Sequence, residues 1–82
     1  MYHTLDEPVE VIAVFEPGTL KPARFRWKGK IYKVARVTGH WKSQQGEYTV
    51  RHFALVDTED NVFQLTYDER RTDWVISKIW VE

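Results

Sequence analysis

The chain contains no cysteine, which excludes disulfides, thiolate metal sites and thiol nucleophiles together. Its four glycines, Gly18, Gly29, Gly39 and Gly46, stand apart, so no glycine-rich loop is present to cradle a phosphate. No apolar stretch approaches the roughly 18 residues that a membrane span requires. The first eight residues carry Asp6 and Glu7 where a secretory signal would carry a basic region and an apolar run. These absences lead to the expectation of a cytoplasmic protein with no membrane partner. Helical signal is also missing, since no segment longer than about ten residues sustains a 3.6-residue apolar period.

With 82 residues, the chain is expected to form a single domain, 1–82, that buries only roughly 60% of its unfolded surface. Packing alone must hold it. Four Trp, four Tyr and four Phe suit that task, because each aromatic ring can bury on the order of 150–250 Å².

Strand-forming residues alternate with short turn-forming clusters along the chain. Val9 to Phe15 reads as a first strand, closed by Glu16-Pro17-Gly18, with residues 1–8 left as a loosely ordered arm. Ala23 to Trp27 and Lys30 to Val37 read as a hairpin around Lys28-Gly29. A two-residue turn there sets Trp27 opposite Lys30, Phe25 opposite Tyr32 and Ala23 opposite Val34. Gly39 to Glu47 reads as a polar loop holding Trp41. Tyr48 to Asp57 and Val62 to Tyr67 read as a second hairpin, with Val56 meeting Phe63 and Ala54 meeting Leu65. In the last strand, Asp73 to Val81, apolar residues fall on both parities, which implies burial on both sides or a β-bulge. The expected fold is all-β: five or six antiparallel strands in a strongly twisted sheet, curled into a small SH3-like or OB-like barrel. An open meander is the alternative.

Charge is distributed less evenly than the zero net charge suggests. Residues 21–42 hold eight cations (Lys21, Arg24, Arg26, Lys28, Lys30, Lys33, Arg36, Lys42) and no acid, while both flanks are acidic. The hairpin register places Arg24 across from Lys33, and like charges in that position repel by a few tenths of a kcal/mol or more, roughly the scale of cross-strand pair energies. Either acids from another strand or an anionic partner must compensate. Cations beside an exposed aromatic suit single-stranded nucleic acid, where cations track phosphates and rings stack on bases.

Other chemistry finds little support. His3, His40 and His52 lack the close spacing of a ligand pair, and His52 reads as a hydrogen-bonded structural residue. Ser43 and Ser77 have no nucleophile-elbow pattern around them, and the acid pairs Glu59-Asp60 and Asp68-Glu69 fall in turns. Trp27, Trp74 and Trp80 read as core or barrel-seam residues. Trp41 reads either as a plug folded back on the core or as a contact for a partner.

The run Phe25-Arg26-Trp27-Lys28-Gly29-Lys30-Ile31-Tyr32-Lys33-Val34, followed by Trp41 and later by Asp73-Trp74, resembles an uncharacterised family of small bacterial and archaeal all-β domains. That family shows an F-x-W-x-G-x-x-Y-x-V pattern, and some members are associated with translesion DNA polymerase-like proteins. The resemblance covers the chain from about Pro22 onward and implies a DNA-repair accessory role. It transfers no catalytic residue.

The sequence therefore leads to a non-enzymatic binding module with no catalytic residue, metal or cofactor. Its candidate nucleic-acid-binding residues are Arg24, Arg26, Lys28, Lys30, Lys33, Arg36, Trp41 and Lys42, and the expected partner is single-stranded nucleic acid or a DNA-processing protein. The alternative is a protein-interaction domain that docks through a strand edge or the Trp41 region.

Overall fold

A computed structural model describes residues 1–81. Six strands run in chain order: β1 (Tyr2–Glu16), β2 (Thr19–Trp27), β3 (Lys30–Gln45), β4 (Tyr48–Asp57), β5 (Val62–Asp68) and β6 (Asp73–Trp80). Each pairs antiparallel with the next, and β1 also pairs with β6, which closes the sheet into a barrel. Two strands make the closure. The first part of β1 pairs with β6 up to Val9–Trp74, and the second part pairs with β2 from Glu10–Arg26 onward. In the same way β3 pairs with β2 through Lys33 and with β4 from Val34. One long strand thus serves two neighbours in succession at each corner.

Inward-facing residues fill the barrel. Phe25, Leu55, Phe63, Leu65 and Ile76 are almost wholly buried, and Leu5, Val9, Val11, Trp27, Tyr32, Val34, Val37, Trp74 and Ile79 pack against them. Phe63 meets Phe25, Trp27 and Tyr32 edge-on, with ring centroids 5.2, 6.3 and 5.3 Å away, an arrangement worth about 0.5–1.5 kcal/mol per pair beyond area burial. The Trp27 indole Nε1–H donates to Glu7 Oε1 at 3.2 Å, so its polar edge is satisfied as well.

Several strands extend beyond their expected limits. Residues 1–8 are not a loose arm, because Tyr2 to Pro8 form a ladder with β6 and the Val81 and Met1 backbones bond to each other. Gly39 to Glu47 is not a loop either. It continues β3 and turns back into β4 at Gly46, whose φ of 67° needs no Cβ to accommodate it. Ser and Gln in that stretch disguised a solvent-facing strand. In the β4–β5 hairpin the register is Leu55–Phe63 and Ala54–Gln64, one residue from the expected pairing. Asp57 causes the slip: its carboxylate accepts from the Glu59 and Asn61 backbone N–H groups and from Asn61 Nδ2, drawing Asp57 into the turn. In the last strand the bulge reading is correct, since the β5–β6 register shifts between Gln64 and Leu65 and leaves Ser77 between two pairs. Trp80 is a barrel-seam residue, paired with Tyr2 where β1 meets β6. It stands 44% exposed at the barrel end, edge-on to Tyr2.

Candidate nucleic-acid interface

β2 and β3 share only four ladder pairs, from Trp27–Lys30 to Arg24–Lys33, and then diverge. Residues on both strands force the separation. Pro22 has no N–H to donate, and the β1–β2 register shifts beside it, leaving Ala23 as an extra residue. On the other side Ala35 and Thr38 are extra residues in β3 against β4, and each bulge bends the strand away from β2. The expected pair Ala23–Val34 therefore does not form. The β1–β2 hairpin and the far part of β3 become the two arms of a V, with Arg24 and Lys33 at its vertex.

The outer face of the β1–β2–β3 corner is cationic and partly apolar. Lys21, Arg24, Arg26 and Lys33 are exposed there, interleaved with exposed Ile12, Val14 and Ile31. Two acids share this face: Glu16 at the hairpin end, two residues past Val14, and Glu10, cross-strand from Arg26 with a 3.9 Å separation between largely solvated groups, a contact worth little in water. Among the described residues, no acid lies within salt-bridge distance of Lys21, Arg24 or Lys33.

The other proposed cations separate from this face. Lys28 occupies the hairpin tip with φ of 52° and places its ammonium 4.9 Å from the Trp27 ring centre. Lys30 belongs to the opposite face, where it lies over Tyr32 and bonds Glu59 at 3.2 Å. That hydrogen bond, aided by the Glu59 charge, holds the ammonium above its ordinary pKa. Arg36 is exposed on β3 opposite Val56. Lys42 lies at the far end of the β3 arm, on the face opposite Trp41. The structure thus groups Arg24, Arg26 and Lys33, and ties Lys30 to an internal partner. It sets Trp41 eight residues along β3 from Lys33, on the order of 25 Å of strand.

Trp41 is not a plug. It pairs across the β3–β4 ladder with His52, the two rings stacked at 5.3 Å and 13°, and remains 45% exposed. His52 is itself held at both nitrogens, by Ser43 Oγ at Nε2 (2.8 Å) and by Thr66 Oγ1 at Nδ1 (3.2 Å). The direction of these bonds follows from their far end. Ser77 Oγ–H donates to the Gln64 carbonyl, so Thr66 must donate to Ser77 and accept from Nδ1–H of His52. Neutral His52 then accepts the Ser43 proton at Nε2. Burial and, secondarily, the charge of Lys78 hold the imidazole below its ordinary pKa, which favours this neutral tautomer.

Between the arms of the V lies a cleft of about 760 Å³. Phe15, Glu16, Gly18, Thr19 and Leu20 line it from the β1–β2 hairpin, and His40, Trp41, Lys42, Arg51, His52 and Phe53 from the β3–β4 hairpin. Phe15 is 73% exposed. Arg51 is bound to Glu69, which also lines the cleft. The sequence reading missed Phe15, Lys21 and the support beneath Trp41. Pro22 within a strand run was the available signal, since proline marks a strand with a free edge.

A family model matches residues 1–81, nearly the entire chain, and its description is "Domain of unknown function (DUF6504)". The chain belongs to the DUF6504 family. No curated protein and no solved structure matches it significantly. The geometry of this DUF6504 domain must therefore speak for itself. No group of three or more metal-ligating side chains occurs among the described residues, and among them no helix is long and apolar enough to cross a membrane.

Proposed function

We propose that this DUF6504 domain is a binding module for single-stranded nucleic acid and that the outer face of β2 and β3 carries the contact. One observation supports this most directly: Arg24 and Lys33 face each other across the ladder with no acid in range among the described residues, although the chain holds as many acids as bases. Within the cationic segment 21–42, and among the described residues, salt bridges reach Lys30 and, loosely, Arg26 alone. A phosphodiester backbone supplies the missing anion and relieves the repulsion. The link to translesion DNA polymerase-like proteins that the sequence resemblance implies is in keeping with this reading, with a DNA-repair accessory role as its biological form.

The test is an oligonucleotide titration at two salt concentrations. Binding should weaken with a slope of about 0.7 in log–log form for each phosphate neutralised on a single strand. Arg24→Glu with Lys33→Glu should abolish it while leaving the fold intact, because both side chains are solvated. Binding unchanged by that double substitution would refute the proposal.

A second reading, docking of a protein segment, is favoured by a separate observation. Residues 19–23 of β2 and the far part of β3 each lack a ladder partner on the sides that face the cleft, and an extended peptide adds to such edges.

A further inference from the structure

We infer that the cleft between the two hairpins receives an unstacked base of the bound strand, held against the free face of Trp41 on one side and Phe15 on the other. The inference rests on the nucleic-acid reading above and assigns a separate task to residues which that reading leaves unused. Two observations lead to it. First, the indole of Trp41 is a prepared platform: one face lies on His52, the imidazole is fixed through both nitrogens by Ser43 and Thr66, and Thr66 is fixed in turn by Ser77. A ring restrained in this way loses little freedom on stacking. Second, Phe15 is the most exposed large apolar side chain of the molecule's described residues and stands at the mouth of the same cleft. A folded chain gains nothing from a solvated phenyl group and a solvated indole lining one cavity, whereas a base with two π-faces gains from both.

The polar lining separates the roles of cleft and outer face. Within the cleft Arg51 is occupied by Glu69, and Glu16 balances Lys42, so the lining carries no net positive charge to draw phosphate inward. Carboxylates instead accept hydrogen bonds from exocyclic amino groups such as that of cytosine. Outside it, at the vertex and along the β2 arm, Lys33, Arg24 and Lys21 have no acid within salt-bridge distance among the described residues. Phosphates are thus held by the outer face and a base is turned inward, the usual division between positioning contacts and base contacts. The volume of about 760 Å³ lies within the roughly 300–1,000 Å³ typical of small-molecule sites, ample for one nucleotide.

The experiment titrates the full chain with single-stranded oligonucleotides, with an abasic strand of equal length and with duplex, at two salt concentrations. It compares the parent with Trp41→Ala, Trp41→Phe, Phe15→Ala and the Arg24→Glu, Lys33→Glu pair. Trp41→Ala should weaken single-strand binding by about five- to a hundredfold, the range for loss of one stacked base, and leave the salt slope unchanged. Trp41→Phe should restore most of the affinity, and on the abasic strand Trp41→Ala should have no effect. If Trp41→Ala and Phe15→Ala bind as the parent does while the charge pair fails, the cleft assignment is wrong and the basic face stands. Duplex bound as tightly as single strand also overturns it, because paired bases cannot enter. If the parent binds no strand even at low salt, both proposals fall.

Discussion

Phe63 shows how much of this small barrel depends on single side chains. Its ring is almost fully buried and touches three other aromatics edge-on. Phe63→Ala should cost about 3–5 kcal/mol, a large share of the stability of any domain this size, and denaturant titration should show either a steep loss or an unfolded variant. His52 acts differently, through protons. Its folded pKa lies below that of the unfolded chain, so the unfolded state binds the proton more readily. Stability should be unaffected above pH 6.5 or so and fall as the pH drops below the unfolded value of about 6.5. Thermal melts across pH 5 to 7.5 should show this decline, and His52→Gln should lessen it. At this scale the sequence was partly legible. Arg24 and Lys33 could be paired correctly because the turn at Lys28-Gly29 fixes a local register. The neighbours of His52 could not be read, because Thr66 and Ser77 reach it only through two further strands.

At the scale of elements, turns and bulges decide which surfaces exist. Asp57 is 3% exposed and gives its carboxylate to three donors in the β4–β5 turn. Asp57→Ala leaves those donors without their acceptor and should destabilise by about 1–3 kcal/mol, measurable by chemical denaturation. Asp57→Asn should recover part of the loss, since its remaining carbonyl oxygen still accepts. The same residue explains the one-residue error in the hairpin register: hydrophobic alternation alone favours Val56 opposite Phe63, and only the hydrogen bonds of the turn reveal the shift. The polar strand around Trp41 escaped recognition for a related reason. Ser43, Gln44 and Gln45 give no apolar period, and what makes them a strand is the ladder offered by β4. Bulges at Ala23, Ala35 and Thr38 leave no sequence signature beyond Pro22, so the cleft that they open was beyond the reach of pattern reading.

For the whole molecule, closure depends on β1, which pairs with the last strand through its first half and with the second strand through the rest. The all-β class and the barrel were readable from strand count and the need to hide edges. The role of residues 2–8 in sealing the ring was not, because their partners lie at the other end of the chain, from Val75 opposite Pro8 to Trp80 opposite Tyr2. That distance has a kinetic consequence. A chain emerging from the ribosome can form the hairpins from β2 to β5 as they appear, but the seam between Tyr2 and Trp80 must wait until the final strand has been made. Until then the inner residues Leu5 and Val9 have nothing to cover. Folding of the six-stranded domain should accordingly fall in the millisecond-to-second range of domains dominated by distant pairings, and stopped-flow refolding should show it. Shortening the chain by a few residues at either end should do more than fray a terminus: it should leave a long-lived open ring whose exposed edges invite pairing with other copies.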